Sequence, residues 1–269
     1  MILPEFVRKA VIPAAGYGTR MQPFSLLIPK ELAPLGSRPA IHWVIEEAVT
    51  AGIGDIAIVI REDKLLIQKY LDAVQKNGEF DGVSFHYPRQ TSGHGLAEAI
   101  SAGRDFAGTD PFALLLPDNL FLSPSYTLAR LLEVASATKS DVLGVLALDG
   151  RHDCHYGNSG RIDSILLESE HLQITRLYDK KPGRLRIGPE ETLYRVCGRA
   201  VCQPHIFEFI DRVRPGIRGE FDEVPVFQEI IGTLGAHGCI LPLPLFDVGH
   251  PNGLLAASAY LHRQQHKDR

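Results

Sequence analysis

The stretch Lys9-Ala-Val-Ile-Pro-Ala-Ala-Gly-Tyr-Gly-Thr-Arg20, with Pro29-Lys30-Glu31 shortly after it, decides the reading of this chain. Ala10 to Ile12 is a short apolar strand that runs into a glycine turn, and an arginine and a lysine follow close downstream. Gly16 and Gly18 are expected to bend the backbone through positive φ and to bring N–H groups up to a ligand. Successive N–H groups in such a turn form an anion-binding nest. Two fixed cations behind the nest suit a polyphosphate tail better than a single carboxylate, so the loop reads as a grip for a nucleoside triphosphate.

Rival readings of the loop fit less well. A dinucleotide fingerprint would need a third glycine where Met21 stands, and an acidic residue at the end of a second strand about twenty residues on. A P-loop would need Gly-Lys-Ser/Thr together, and this loop lacks it. The bland alternative is a plain glycine turn between strand and helix.

Outward from the loop, strand and helix signals alternate. Ile41, Val44, Ile45, Ala48 and Val49 recur at helical spacing, and Gly52 follows as a stop. Ile56 to Ile60 is an unbroken apolar run of the kind buried on both faces. Ile67, Tyr70, Leu71 and Val74 make the next helical stripe. A strand at 83–87, a helix over 96–106 and a strand at 112–116 continue the pattern. Such alternation predicts an α/β fold, a three-layer Rossmann-like arrangement of an open, largely parallel sheet flanked by helices. After about residue 141 the rhythm changes. Strands are predicted at 141–148 and 195–201, a hairpin from 161–167 and 173–178, and helices at 204–213, 225–234 and 252–264. No Pro/Gly/Ser linker divides the halves. The expectation is one domain over 1–269, with a nucleotide-binding part to about residue 140 and a smaller β part from about 141. Hexapeptide repeats are absent, so no β-helix extension is expected.

Composition narrows the partners. The 269 residues are 45% hydrophobic, enough for a full core, and carry a net charge of −4 without a long basic run. Nucleic-acid polymers and anionic membrane surfaces are therefore poor partners, and small anionic substrates gripped by single loop cations are better ones. Cys154, Cys197, Cys202 and Cys239 have no Cys-x-x-Cys or metal-ligand spacing and read as reduced thiols. The first residues lack a signal-peptide apolar region and no run reaches membrane-spanning length, which together favour the cytoplasm. A homo-oligomer is compatible with all of this.

Gly-x-Gly-Thr-Arg20 followed by Pro29-Lys30-Glu31 resembles the sugar-1-phosphate nucleotidyltransferases, and especially the bacterial UTP–glucose-1-phosphate uridylyltransferases. The resemblance continues through Trp43-Val-Ile-Glu-Glu-Ala-Val-Thr-Ala-Gly-Ile53, Arg89-Gln90, Leu116-Pro-Asp-Asn119 and Phe246-Asp-Val-Gly249. It implies a nucleotide-diphospho-sugar transferase fold and an in-line attack of a sugar-phosphate oxygen on the α-phosphorus of a nucleoside triphosphate. It also implies UTP and glucose 1-phosphate as default substrates and Mg²⁺ as cofactor. Such chemistry needs no protein nucleophile; it needs two anions brought together and charge neutralised on the leaving pyrophosphate.

The resemblance assigns Ala14, Ala15, Gly16, Gly18 and Thr19 to the nucleotide loop, and Arg20 and Lys30 to the β- and γ-phosphates. It sets Gln90 and Gly95 against the base and Asp118 and Asp247 on the metal. On the sugar side it matches Tyr156-Gly157, Lys181-Pro182, Gly198-Arg199 and Gly219-Glu220, with Lys181 meeting the sugar phosphate. Gly95-Leu-Ala-Glu-Ala99 and Asp118-Asn119 lean instead toward the glucose-1-phosphate thymidylyltransferases, so dTTP stays open beside UTP. His42 and Trp43 read as packing residues, and no histidine is assigned to the reaction.

Departures gather on the sugar side. Lys180 replaces the family's glutamate before Lys-Pro, Glu223-Val224-Pro225 replaces Leu-Thr-Asp, and Ala200 follows Gly198-Arg199 in place of tyrosine. Exchanging an acceptor-only carboxylate for a donor-only ammonium reverses hydrogen-bond polarity. An acceptor-rich or acidic sugar, or a cyclitol, would suit Lys180; alternatively Lys180 faces solvent. A nucleotide-sugar-binding sensor with decayed catalysis is the remaining alternative, and it would not need Arg20, Lys30, Asp118, Lys181 and Asp247 together.

Overall fold

Strand β1 (Lys9–Pro13) sends Ala10 and Ile12 to one side and Val11 to the other, and all three are fully buried. A strand buried on both faces must lie between two helical layers. The structure is a computed structural model and describes residues 6–91, 95–122, 127–150, 160–168, 170–180, 187–214 and 221–265. After β1 come the short pair β2 (Pro34–Leu35) and β3 (Arg38–Pro39), helix α1 (Ala40–Thr50), β4 (Asp55–Val59), α2 (Leu65–Lys76) and β5 (Ser84–His86). Next are α3 (Leu96–Ala102), α4 (Arg104–Ala107), β6 (Phe112–Leu115), β7 (Asn119–Phe121), α5 (Thr127–Thr138) and β8 (Val142–Leu148). The chain continues with β9 (Ile162–Glu168), β10 (His171–Leu177), β11 (Leu193–Cys202), α6 (Ile206–Arg212), α7 (Glu223–Thr233), β12 (Ala236–Ile240), β13 (Leu245–Asp247) and α8 (Pro251–Gln265).

Among the described residues, nine strands form one sheet in the order β5-β4-β1-β6-β11-β8-β12-β10-β9. β5, β4, β1 and β6 are parallel, as are β8 and β12, while β11 and β10 run against their neighbours. The mixed α/β architecture expected from the alternation is therefore present. One apolar layer joins Ile12, Ile58 and Leu115 to Ile45 of α1, Leu71 of α2 and Leu131 of α5. The other joins Val11, Val59 and Leu114 to Ile100 of α3, Phe209 of α6 and Phe227 of α7. Truncating Ile45 or Leu131 to alanine would cost about 2–5 kcal/mol through lost transfer energy and the cavity left behind.

β1 pairs with β4 on one side and β6 on the other, so the crossovers leave it in opposite directions. A crevice opens outside the carboxyl ends of strands at such a switch point. The loop holding Arg20 and Lys30 follows β1, and Asp118 follows β6.

Two helix boundaries and one unannounced strand stand out against expectation. The helix read over 96–106 divides at Gly103, where a Cβ would press on Val11 at 3.1 Å; the glycine lets the segment turn close above β1. α7 starts two residues before Pro225 because the Asp222 side chain caps it, accepting from the Val224 N–H at 3.1 Å. β12, Ala-His-Gly-Cys-Ile, has no apolar run to announce it and is held by pairing to β8 and β10. Burial pushes the Cys197 and Cys239 thiols up to about 12 and about 11, which suits inert thiols. Cys154 lies outside the described residues. Among the described residues, no helix is long and apolar enough to cross a membrane.

Candidate functional site

The loop after β1 is fixed from beneath. Ala14 and Ala15 are fully buried. The Ala14 N–H donates to the Val59 carbonyl at 2.8 Å, and the Ala14 carbonyl accepts from Lys64 Nζ at 2.8 Å. Lys64 also meets both oxygens of Glu31, at 2.9 and 3.0 Å, with both side chains buried. Burial pushes the Lys64 ammonium below its ordinary range, and Glu31 offsets part of that. The brace ties the glycine loop to the 3-10 turn Lys30–Leu32 that carries Lys30. Lys64 was not singled out from the sequence, and Glu31 entered only as part of Pro29-Lys30-Glu31 with no role of its own, because lysine and glutamate next to a turn ordinarily face water.

The two loop glycines do different things. Gly18 has φ 67°, and its carbonyl accepts from Ser25 Oγ at 2.6 Å, just before the 3-10 turn Thr19–Met21. Gly16, expected to share that conformation, is not among the positive-φ residues. Nothing lies within 4 Å of where its Cβ would stand, so its lack of a side chain leaves open space against the backbone.

A short two-stranded pairing brings the aspartates together. β13 runs antiparallel to β7 with Asp247 opposite Asn119, and the Val248 N–H donates to the Asp118 carbonyl at 2.8 Å. At Gly249 a Cβ would lie 2.8 Å from Asp118 Oδ2, 3.0 Å from Asp247 Oδ1 and 3.1 Å from Arg20 Nη2. The glycine thus leaves a small cradle between two carboxylates and a guanidinium. Lys30 Nζ lies 2.5 Å from Asp118 Oδ2, Asn119 Nδ2 donates to Asp118 Oδ1 at 2.9 Å, and Arg20 Nη1 is 3.5 Å from Asp247 Oδ2. Burial works to push the Asp118 carboxyl up, but Lys30 and Asn119 outweigh it and hold it below the usual carboxylate range. Burial likewise works against the Lys30 ammonium, and Asp118 with Glu31 holds it above its ordinary range. Both stay charged near neutrality.

This donor set fits Mg²⁺. That ion takes oxygen ligands and is usually bound through one or two carboxylates plus phosphate oxygens and water. Among the described residues no cluster of three or more ligating side chains exists, so the two aspartates would be the protein's share.

Arg199, matched to the sugar side by resemblance, turns inward instead. It is fully buried and binds Glu47 through Nε at 3.1 Å and Nη2 at 2.7 Å. Its Nη1 donates to the Leu116 and Gly198 carbonyls at 3.2 and 2.8 Å, and its Nη2 to the Asn119 carbonyl at 2.8 Å. Thr127 Oγ1 donates to Glu47 Oε1 at 2.8 Å. The guanidinium therefore clasps the backbone on both sides of Asp118. Gly198 permits this packing, since a Cβ there would come within 2.7 Å of the Leu116 Cβ.

Gln90 is buried, and its Nε2 donates to Glu98 Oε2 at 2.9 Å and to the Gly95 carbonyl at 3.3 Å. Gly95 has φ 102°, and a Cβ there would overlap the Phe221 backbone, so helix α3 seats directly on the segment before α7. One cavity of about 370 Å³ is lined by Arg20, Gly95, Asp118, Asp247, Gly198 and Lys180, all expected from the sequence. It is also lined by Asp222, Glu223, Arg195 and Phe227, which were not. Lys180 Nζ reaches Asp222 Oδ1 at 2.9 Å and Glu223 Oε1 at 2.8 Å, so its ammonium is engaged and does not point freely into water. The departure from Leu-Thr-Asp at Glu223 was the sequence signal for this cluster. Tyr156, Gly157, Lys181 and Glu220 lie outside the described residues.

The family model described as nucleotidyl transferase matches residues 9–264. The chain is 32% identical to a UTP–glucose-1-phosphate uridylyltransferase of Bacillus subtilis (strain 168), over 94% of this chain and 90% of that protein. It is 31% identical to UTP–glucose-1-phosphate uridylyltransferase 2 of Staphylococcus saprophyticus, over 93% of this chain and 90% of that protein. A crystal structure of UDP-glucose pyrophosphorylase complexed with UDP-glucose superposes with TM-score 0.83 at 25% identity, covering 96% of this chain and 99% of that one. A UTP-bound UDP-glucose pyrophosphorylase from Acinetobacter baumannii superposes with TM-score 0.77 at 26% identity, covering 95% and 93%.

Proposed function

The chain belongs to the nucleotidyl transferase family, and on that premise we propose that it condenses UTP with glucose 1-phosphate to give UDP-glucose and pyrophosphate. The observation that carries the reading is the four-membered charge cluster around Gly249, where Lys30 meets Asp118 and Arg20 meets Asp247 at a strand switch point. Two cations suit the triphosphate tail and two carboxylates suit a Mg²⁺ ion. When bound, Mg²⁺ would supply charge neutralisation on phosphate oxygens of both substrates.

The chain's own groups do the rest. A sugar-phosphate oxygen forms the new bond to the α-phosphorus while the bond to the β-phosphate's bridging oxygen breaks, and pyrophosphate leaves with that electron pair. Arg20 and Lys30 neutralise the charge gathering on the departing group, which is where a focused donor contributes most. Ala14, Ala15, Gly16, Gly18 and Thr19 hold the nucleotide through backbone groups, and Lys181, with Tyr156, Gly157 and Glu220, serves the sugar phosphate.

Gln90 supports a uracil or thymine base. Both of its amide hydrogens face acceptors, Glu98 and the Gly95 carbonyl, which leaves Oε1 to accept. The imide N3–H of uracil or thymine offers a donor, whereas cytosine presents an acceptor at N3. The same observation favours dTTP as a second substrate, since the thymine imide is identical. Pyrophosphate release measured over a grid of nucleoside triphosphates and sugar 1-phosphates tests the reading. Turnover with UTP is expected, and Asp247→Asn should suppress it strongly with the fold intact. No turnover with any pair, together with tight binding of a nucleotide sugar, would favour a sensor instead.

A further inference from the structure

The cavity holds a second charged cluster besides the one around Gly249. Lys180 from the segment after β10 bridges Asp222 and Glu223 at the start of α7. Glu223 is the most enclosed of the three, with 19% of its side chain exposed against 45% and 40% for Lys180 and Asp222. Asp222 cannot swing away cheaply, because it also caps α7 through the Val224 N–H. The residue that replaces the family's glutamate therefore brings two other carboxylates into the same cavity wall.

We infer that the Lys180–Asp222–Glu223 cluster selects an uncharged polyhydroxyl group on the acceptor phosphate and rejects one that carries a carboxylate. The inference rests on the proposed function and deepens it. The charge count gives the reason. One ammonium faces two carboxyl groups, so the cluster is net −1 with Glu223 ionised and neutral with Glu223 protonated. It is not positive in either state. Its oxygens are acceptors that sugar hydroxyls can satisfy, whereas a uronic acid carboxylate would meet like charge.

Burial and its neighbour Asp222 push Glu223 up to about 7, and Asp222, despite burial, is drawn down to about 2 by Glu223 and Lys180. Asp222 thus stays ionised near neutral pH. Arg195 lines the cavity from β11 and is the group that would pair with a uronate if the inference were wrong.

Calorimetric titration of the whole chain with Mg²⁺ and UDP, UDP-glucose or UDP-glucuronic acid at pH 8 tests this. UDP-glucose is expected to bind at least about tenfold more tightly than UDP-glucuronic acid, on the scale of a like-charge juxtaposition. Glu223→Gln should narrow that ratio, and Lys180→Gln, which removes the compensating charge, should widen it; neither should alter binding of UDP. Equal or tighter binding of UDP-glucuronic acid would overturn the inference, as would ratios that both variants leave unchanged. Failure of the unaltered protein to bind UDP would instead overturn the proposed function on which the inference stands.

Discussion

Lys30 Nζ lies 2.5 Å from Asp118 Oδ2, joining the loop after β1 to the loop after β6 across the strand switch point. The lysine expected on the leaving group and an aspartate expected on the metal are therefore in direct contact. Lys30→Gln removes the charge and leaves a neutral polar side chain one atom shorter. Its turnover is expected to fall about 10²- to 10³-fold, the scale for losing one focused donor. Steady-state kinetics beside a circular dichroism spectrum checks this, and a rate within about threefold of the original would remove Lys30 from the reaction.

The Gly249 cradle gives a separate test of the proposed Mg²⁺ site. Gly249→Ala would place a methyl group 2.8 Å from Asp118 Oδ2 and 3.0 Å from Asp247 Oδ1. Half-saturation for Mg²⁺ is expected to rise by roughly 10- to 100-fold, a range seen when the surroundings of metal ligands are disturbed. Titrating activity against Mg²⁺ measures it, and an unmoved curve would take the ion away from these carboxylates.

Arg199 and Glu47 form a fully buried pair, and removing one partner strands the other. Arg199→Met is expected to cost about 3–5 kcal/mol in denaturant unfolding. Variants that stay folded at low temperature should still lose turnover, because the Leu116 and Asn119 carbonyls that flank Asp118 lose their clasp.

His205 supplies a pH-dependent term far from the reaction. Its Nε2 donates to Asp141 Oδ2 at 2.6 Å, and that bond, against the opposing effect of burial, raises the imidazole above its ordinary value. A raised folded-state value means stabilisation that is full below about pH 6.5 and fades as pH climbs through the folded value. His205→Gln should therefore destabilise more at pH 5.5 than at pH 9, by about 1 kcal/mol or more. Equal losses at the two pH values would refute the assignment.

The sequence made the first sheet strands legible because they are apolar on both faces and bounded by turn residues. It marked Asp118 and Asp247 as candidates because one follows an apolar strand and the other ends one, each inside a recognisable segment. It hid β12, whose Ala-His-Gly-Cys-Ile has too few apolar residues to stand out, and it hid the brace of Lys64 on Glu31. Charged pairs buried by folding carry no local mark, since their stabilisation exists only once both have left water.

Residue order alone determined the α/β class, the glycine loop after β1 and the family, because glycine turns, apolar periods and loop cations are local properties of the chain. Tertiary structure decided which charges meet: Arg199 against Glu47, Lys180 between Asp222 and Glu223, and both aspartates at Gly249. A partner's identity depends on distances of a few ångströms between segments far apart along the chain. Only the packed sheet and its helices set those distances.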